Sequence, residues 1–320
     1  MALPPPLQAA LRWVLMLLPF ALWGTAMAAM APLLGGATPA MLACLRLLPA
    51  GVVLLLAAAL LGRPLAVAGP DRPWLLVFAL VDGTLFQGFL AQGLGQTGAG
   101  LGSVLIDSQP LLVALLARVL FNEPINPVGW SGLMVGLVGI LCLGLPGDLL
   151  RHWWLEGPSV VGSHPWSHGE PWMLAAAAAM AIGTVLCRYA TRQSDPVAVT
   201  GWHMVIGALP LLVAALVPGP EGTVFLPTWT LGQWGWMAYS SLVGSALAYG
   251  LFFFFASQGD LTGFTALTFL TPVFALLCGI GWLHEHLRPL QWLGAGLALL
   301  SVALIHRRVA LWDAARVSES

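Results

Sequence analysis

Apolar residues fill long stretches of this chain, and polar residues collect in short gaps between them. A helix needs about 20 apolar residues to cross the hydrocarbon core of a membrane. Ten stretches meet this length: 11–34, 38–62, 73–96, 98–121, 127–146, 171–190, 196–217, 231–257, 261–283 and 289–306. Membrane β-barrels show short alternating strands instead of unbroken runs. The pattern therefore predicts an all-α polytopic membrane protein with ten transmembrane helices.

The composition excludes most other classes of protein. Of 320 residues, 59% are hydrophobic and 8% are charged, with a mean hydropathy of +0.88. Soluble domains carry about 25% charged residues, and disordered chains combine low hydrophobicity with high charge. The net charge of -1 provides no basic surface for nucleic acid. We expect a lipid bilayer around the chain and no nucleic-acid partner.

The arginines indicate the orientation in the membrane. All twelve basic residues are arginines. If the N-terminus is cytoplasmic, nine of them lie on the cytoplasmic side or at helix ends that face it. Arg151 and Arg288 lie outside, and Arg46 lies within a helix. Because cytoplasmic loops carry an excess of basic residues, this bias predicts that both termini are cytoplasmic.

The two halves of the chain repeat each other at an offset of 162 residues. This offset aligns Pro110 with Pro272, Glu123 with Glu285, Pro127 with Pro289, Trp130 with Trp292 and Gly132 with Gly294. Each half holds five helices, so the second half must be inverted relative to the first. Inverted repeats are typical of secondary transporters, which bind substrate near the midplane between the halves. The alternative is a duplication retained only for packing.

This repeat divides the chain into four predicted parts. They are a first five-helix repeat at 11–146, an extracytoplasmic loop at 147–170, a second repeat at 171–306 and a cytoplasmic tail at 307–320.

Several motifs resemble those of a known family. Each half ends in an apolar–Pro–apolar–Glu–Pro–Trp–Gly pattern, within 107–132 and 268–294, and FALWGTAMA (20–28) precedes a helix that carries CLRLLPAG (44–51). Together these resemble the EamA-type branch of the drug/metabolite transporter superfamily. The resemblance implies ten helices in two inverted repeats around a central cavity, with export or exchange of small metabolites. It implies no particular substrate. The runs 78–90 and 98–110 resemble bacterial, cyanobacterial and chloroplast members, and we expect a multi-pass protein of the bacterial inner membrane.

Few ionisable residues lie inside the apolar stretches, and each is a candidate functional residue because charge is costly in a membrane. Arg46, Asp82 and Asp107 lie at similar predicted depths, and His203 is the counterpart of Arg46 in the second half. One hypothesis is that Arg46 binds an anionic substrate group while one Asp binds and releases a coupling proton. The alternative is a permanent buried Arg–Asp pair or hydrogen-bonded cluster that fixes helix packing.

Aromatic and amide residues near these charges complete the predicted substrate site. Trp23 lies in the middle of the first helix, away from the interface where Trp usually lies. Phe86 shares the helix face of Asp82, whereas Gln87 lies off it, and Tyr249 falls opposite Gln87 in the second half. Such a lining suits an amphipathic or aromatic solute. Packing between membrane helices is the alternative role.

Two prolines predict breaks in the membrane helices. Pro110 and Pro272 occupy matching positions in the two halves, and each removes a backbone hydrogen bond within its helix. Broken helices at matching positions of two repeats are typical of transporter binding sites.

No motif predicts an enzyme, a cofactor or a metal site. The chain lacks HExxH and GxSxG, and the absence of Lys excludes Walker and Schiff-base chemistry. His152, His164 and His168 form only a weak metal-ligand pattern in the 147–170 loop, and a solvated loop is favoured.

The sequence thus predicts a secondary active transporter that exports a small amino-acid-like or amphipathic aromatic solute by alternating access, with the proton as candidate coupling ion. A passive channel or structural membrane scaffold is the alternative, ahead of an intramembrane enzyme. The substrate, the direction of transport, the coupling ion and the oligomeric state stay open.

Overall fold

A computed structural model describes residues 4–97, 102, 105–144, 169–218, 226–283 and 288–318. Its continuous membrane helices are α1 (Pro5–Met30), α2 (Pro39–Leu60), α4 (Gln109–Phe121), α5 (Pro127–Gly144), α6 (Glu170–Ala190), α7 (Pro196–Leu216) and α10 (Pro289–His306). Three others are composite. These are α3 (Arg72–Phe78, Ala79–Phe86, Gln87–Thr97), α8 (Leu231–Ser241, Leu242–Leu247, Ala248–Ala256) and α9 (Leu261–Thr265, Ala266–Leu270, Thr271–Leu283). A short helix, α11 (Arg308–Ser318), follows them.

Helix starts follow local capping chemistry. Thr38, Asp195, Thr230 and Asp260 each accept a hydrogen bond from a backbone N–H in the first turn of α2, α7, α8 and α9. These side chains satisfy donors that have no partner inside the helix. Pro in the first turn of α2 and α7 adds a preset backbone angle at no cost in hydrogen bonds.

The composite helices depart from regular α geometry at matching positions. The middle segments of α3 (Ala79–Phe86) and α8 (Leu242–Leu247) are π-helical, and an offset of 162 residues relates them. The middle segment of α9 is a 3₁₀ turn (Ala266–Leu270) that ends two residues before Pro272. In the first half, a turn at Asp107 and Ser108 precedes Gln109 and Pro110. Both predicted proline positions therefore coincide with interruptions of the helix.

Contacts between α5 and α10 show the two-fold relation of the halves. A Cβ on Gly139 would lie 3.0 Å from the Gly294 carbonyl oxygen, and the Ser301 hydroxyl donates to the Gly132 carbonyl at 2.6 Å. At the 162-residue offset, Gly132 corresponds to Gly294 and Gly139 to Ser301. The second contact is thus the first with both residues replaced by their counterparts, which is the pattern expected across a two-fold axis.

The predicted fold class is confirmed: the protein is all-α, with ten membrane helices in two inverted five-helix repeats. Nine helices in the described ranges are long and apolar enough to span a membrane, and Gln109–Phe121 is a shorter apolar helix.

Three details differ from the predicted boundaries. Helix α1 begins at Pro5 rather than at residue 11. The predicted continuous helix 98–121 contains the turn at Asp107, because Pro110 cannot continue the hydrogen-bond ladder. The predicted tail begins with α11.

Of the predicted loop at 147–170, the structure describes only residues 169 and 170. His152, His164 and His168 lie outside the described residues. The predicted bounds of the two repeats and the side on which each loop lies stay predictions.

Ion pairs join the repeats at the end of the bundle where α11 lies. Arg63 donates to Asp195 at 2.8 Å. Glu123 pairs with Arg188 at 3.2 Å and accepts hydrogen bonds from the first two backbone N–H groups of α9, at 3.0 and 3.1 Å. These contacts close this end of the molecule, and they give Glu123 a structural role.

Asp260 caps α9 and pairs with Arg308 at 2.9 Å. Partial burial raises the pKa of Asp260, but the hydrogen bonds from Arg308 and from the backbone N–H of Gly263 outweigh it, so this pKa lies below its ordinary value of 3.8.

Candidate functional site

A cavity of about 60 Å³ lies between the two repeats. Its lining comes from both halves and includes Trp23, Arg46, Phe86, Asp107, Gln109, Tyr249 and Thr271. A cavity of this size has room for a few water molecules, whereas sites for small organic ligands measure about 300–1,000 Å³. The structure is therefore a conformation in which the central cavity is narrow.

Arg46 is the cation of this cavity, and its side chain is 7% exposed. Its guanidinium donates to the Gln87 side-chain oxygen and to the Met30 sulfur at 2.9 Å, while its Nε has no hydrogen-bond partner in the part of the chain that the structure describes. No described carboxylate lies within ion-pair distance of Arg46. The permanent Arg–Asp pair considered above is thus not formed here, whereas a hydrogen-bonded polar cluster is.

Gln87 and Tyr249 meet beside Arg46. The Gln87 amide donates to the Tyr249 hydroxyl at 3.3 Å, and both side chains are buried. These residues are 162 positions apart and are therefore equivalent in the two repeats. Equivalent residues can touch only near the axis that relates the repeats, so this contact places the Arg46 cluster close to that axis.

Asp107 is the acidic residue of the same cavity. It lies in the turn that precedes α4 and is 5% exposed. Among the described residues, nothing forms a hydrogen bond or an ion pair with its carboxylate. The interruption at Pro110 explains its position, because the chain leaves the helix at Asp107 and turns its side chain toward the cavity.

Asp82 and His203 lie apart from the cavity lining. His203 Nε2 lies 3.1 Å from Asp82 Oδ2, and both side chains are fully buried. The sequence placed Asp82 at the depth of Arg46 and Asp107, but the structure does not bring it to the same cavity. Asp82 instead faces α7, the helix that carries the counterpart of Arg46.

Aromatic rings form one wall of the cavity. The Trp23 indole N–H donates to the Gly244 carbonyl at 3.1 Å, within the π-helical segment of α8. Its ring centroid lies 4.9 Å from that of Tyr249 and 4.9 Å from that of Phe252, and Phe86 lies beyond Tyr249 at 6.4 Å. The hydrogen bond and the ring contacts hold Trp23 in place. Trp23, Phe86 and Tyr249 all reach the cavity.

Four polar residues of the cavity lining were missed by sequence reasoning, and two of them directly precede the paired prolines. Gln109 donates to the Thr184 hydroxyl at 3.3 Å, and no described residue donates to its side-chain oxygen. The Thr268, Thr271 and Ser240 hydroxyls are also buried without a partner among the described residues. Gln109 and Thr271 each directly precede one of the paired prolines, which was the signal that could have identified them. All four residues line the cavity.

The family follows from comparison with known proteins. Residues 11–145 and 167–307 match the EamA-like transporter family. The chain belongs to this family.

Named relatives agree with this membership of the EamA-like transporter family. An uncharacterised transporter of Synechocystis sp. is 52% identical over 91% of this chain and 88% of its own. A chloroplastic WAT1-related protein of Arabidopsis thaliana is 44% identical over 92% of this chain and 69% of its own. An uncharacterised inner membrane transporter of Escherichia coli, YedA, is 28% identical over 83% of this chain and 81% of its own.

A solved crystal structure shares the fold. It is 16% identical, has a TM-score of 0.71, and matches 92% of this chain and 96% of its own. The family match and the named relatives, together with the membrane spans, establish this EamA-like protein as an integral, multi-pass membrane transporter. Within the described residues no group of three His, Cys, Asp or Glu side chains is arranged to bind a metal ion.

Proposed function

We propose that this transporter is a secondary active exporter of a small amino-acid-like solute, which binds in the central cavity and crosses the membrane by alternating access. One observation carries the proposal. Arg46 and Asp107 are a basic and an acidic residue that line one cavity between the inverted repeats, and neither forms an ion pair with any described residue.

Charge in the cavity favours a zwitterion. A charge buried without a counter-charge costs several kcal/mol, so a ligand that supplies both missing charges gains the most. A solute carboxylate binds Arg46, whose Nε is free to donate, and a solute ammonium group binds the Asp107 carboxylate. An α-amino acid carries both groups on one carbon atom.

Apolar and hydroxyl groups of the cavity lining determine which side chain of the solute fits. Trp23, Phe86 and Tyr249 provide ring faces and edges, which bind apolar and aromatic groups. The unpartnered hydroxyls of Thr268 and Thr271 offer hydrogen bonds to polar atoms. We infer an amphipathic or aromatic amino-acid-like solute.

Alternating access follows from the repeat architecture. The cavity is too small for the solute in this conformation, and the ion pairs of Arg63 and Glu123 join the repeats at one end. Rocking one repeat against the other exposes the site first to one side and then to the other. We propose that the protein lies in a bacterial inner membrane with both termini in the cytoplasm. In this membrane the proton gradient would drive transport of the solute outward.

A ligand screen tests the proposed function. The purified full-length protein in detergent is heated with aromatic amino acids, with the matching carboxylic acids that lack the amine, and with the matching amines that lack the carboxylate. A ligand at 100 times its Kd stabilises the folded state by about 2.7 kcal/mol. We expect the amino acids to raise Tm and the single-charge analogues to have much smaller effects.

The variant Asp107→Asn tests the contribution of the acidic residue separately from that of Arg46. We expect at least about 10-fold weaker binding of the amino acid, since about 1.4 kcal/mol of charge interaction corresponds to a factor of ten, with little change in binding of the carboxylic acid. Asp260→Asn is the matched control because it removes a carboxylate outside the cavity. Equal affinity of Asp107→Asn and wild type would contradict the assignment of the site. Conductance without saturable solute exchange in liposomes would favour a channel instead.

A further inference from the structure

Asp82 and His203 connect the two repeats through one hydrogen bond. Asp82 lies in the π-helical segment of α3, in the first repeat, and His203 lies in α7, in the second. Their facing atoms, Oδ2 and Nε2, are 3.1 Å apart. Phe78 stacks on the imidazole with ring centroids 4.1 Å apart, and Phe253 packs edge-on at 5.3 Å. These rings shield the pair from water in this conformation.

The other nitrogen of His203 fixes the number of protons in the pair. His203 Nδ1 lies 2.6 Å from the Thr200 carbonyl oxygen. A carbonyl can only accept a hydrogen bond, so Nδ1 must carry a proton. In a neutral imidazole, Nε2 is then an acceptor that faces a carboxylate oxygen. The contact between Nε2 and Oδ2 is a hydrogen bond only if one further proton lies between them.

The surroundings of Asp82 also favour the form with this proton. Asp82 Oδ1 is buried without a hydrogen-bond partner among the described residues, and a Cβ on Gly183 would lie 2.5 Å from it. Besides His203, the titratable or charged groups that face Asp82 are Arg46 of α2, Cys187 of α6 and Tyr249 of α8. Arg46 hydrogen-bonds elsewhere, so none of them replaces the proton.

We propose that Asp82 and His203 together form the binding site of the coupling proton, and that this proton holds the two repeats together in the conformation seen here. The inference rests on the proposed transport function. It assigns the proton to this pair and leaves Asp107 to the solute.

Release of the proton changes both charge and contact. The protonated pair has no net charge, whether the proton lies on Oδ2 or on Nε2. When the proton passes to water, a neutral imidazole and a carboxylate remain, and the net charge is −1. Two acceptors then face each other at 3.1 Å in a fully buried site, which favours separation of α3 from α7 and hydration of Asp82. Proton release is thereby coupled to movement of one repeat against the other.

Two substitutions keep the hydrogen bond and remove the exchangeable proton. In Asp82→Asn, the amide donates to Nε2. In His203→Gln, the amide donates to the Asp82 carboxylate. One variant changes Asp82 and the other changes His203, and each removes the exchangeable proton. The test can therefore still be made if one of the two variants fails to fold.

The first measurement is Tm against pH for the solute-free protein between pH 7 and 9. Unfolded histidine has an ordinary pKa of about 6.5, so the unfolded chain has lost this proton at pH 7 while the native pair retains it. Wild-type stability must therefore fall as the pH rises, by about 3 °C per pH unit for one proton. We expect this slope to be absent in both variants and retained in Asp107→Asn. Equal slopes in wild type and the variants would overturn the proposal.

The second measurement is solute accumulation in liposomes driven by a pH gradient. We expect both variants to lose gradient-driven accumulation at least 10-fold while the detergent-purified proteins still bind the solute. Gradient-driven accumulation in both variants at the wild-type level would overturn the coupling role. A wild-type protein that shows the pH slope but binds no solute would instead overturn the proposed function, so the two failures are distinct.

Discussion

The first repeat carries Arg46, Asp82 and Asp107 where the second carries His203, Gly244 and Phe269. The backbones of the two repeats nevertheless match closely, with π-helical segments at the same place in α3 and α8 and interruptions beside both paired prolines. The charged residues of the central cavity therefore come from the first repeat, and the second contributes the Tyr249 ring and the hydroxyl groups of Ser240, Thr268 and Thr271.

This difference separates what the duplication preserves from what the transported solute requires. Alternating access needs two halves that can exchange conformations, which a duplicated backbone provides. A solute with a carboxylate at one end and an ammonium group at the other is not symmetric, and a site with two-fold symmetric chemistry could not fix its orientation. Unequal side chains on equal backbones meet both requirements.

The largest expected effect comes from making the repeats alike at Arg46. Arg46→His installs the residue that the second repeat carries at this position, and at pH 8 a histidine with its ordinary pKa of about 6.5 is neutral. Loss of one partner of a buried charge pair costs about 2–5 kcal/mol. Solute affinity measured by calorimetry should fall at least about 30-fold, which corresponds to the lower of these values.

Arg63→His is the control for this prediction, because Arg63 pairs with Asp195 outside the cavity and its loss should leave affinity near that of wild type. An Arg46→His protein that folds and binds as wild type does would show that the difference between the repeats has no part in recognition.

An intermediate effect is expected where the repeats differ by one methyl group. Gly207 of α7 corresponds to the fully buried Ala50 of α2 at the 157-residue offset that aligns Arg46 with His203. A Cβ on Gly207 would lie 2.5 Å from the Ala79 carbonyl oxygen and from the Gly83 Cα. Gly207→Ala should therefore cost about 1–3 kcal/mol, as overpacking does, and lower Tm.

Gly296→Ala is the matched control in α10, since a Cβ there meets nothing within 4 Å and alanine favours helix. If Gly207→Ala melted no lower than this control, α3 and α7 would not be packed backbone to backbone.

The smallest effect is expected at the ion pair of Asp260 and Arg308, outside the symmetric core. The low pKa of Asp260 means that its contribution to stability is present above the ordinary carboxyl pKa of 3.8 and is lost as the pH falls through its lower folded-state value. Because the Asp260 side chain is 46% exposed and solvent screens it, Asp260→Asn should lower stability by only about 0.2–1 kcal/mol at pH 7.

Tm measured from pH 7 downwards checks this prediction, since the difference between Asp260→Asn and wild type should shrink in acid. If the Tm difference stayed constant down to the lowest pH measured, the ion pair of Asp260 and Arg308 would not be its cause.

The architecture could be predicted from the sequence because it rests on apolar length and on repeated residues. Helices α6, α7 and α10 begin within one residue of the predicted positions, since proline and capping residues mark their starts. The candidate residues were found by the same reasoning, because Arg46 and Asp107 are rare charges in apolar stretches.

Their grouping could not be predicted. Regular helical spacing set Gln87 off the helix face of Asp82 and placed Asp82 at the depth of Arg46 and Asp107. The structure instead joins Gln87 to Arg46 and Asp82 to His203. The physical reason is the π-helical segment, which alters the angle between successive side chains and has no composition of its own. The pairing of Asp82 with His203 also depends on how one repeat docks against the other, which helical spacing alone does not specify.

The π-helical segment Ala79–Phe86 also restricts how the length of this helix can vary. Successive residues of an α-helix turn by about 100°, so Asp82 and Gln87 would be about 140° apart in a regular helix. Hydrogen bonds from i to i+5 change that angle. Removing one residue while the rest of the segment kept its i to i+5 hydrogen bonds would leave a long apolar helix, yet it would turn all later side chains relative to Asp82 by somewhat less than the about 100° of one α-helical residue. In this helix, the exact number of residues between two polar side chains matters more than the identity of most residues between them.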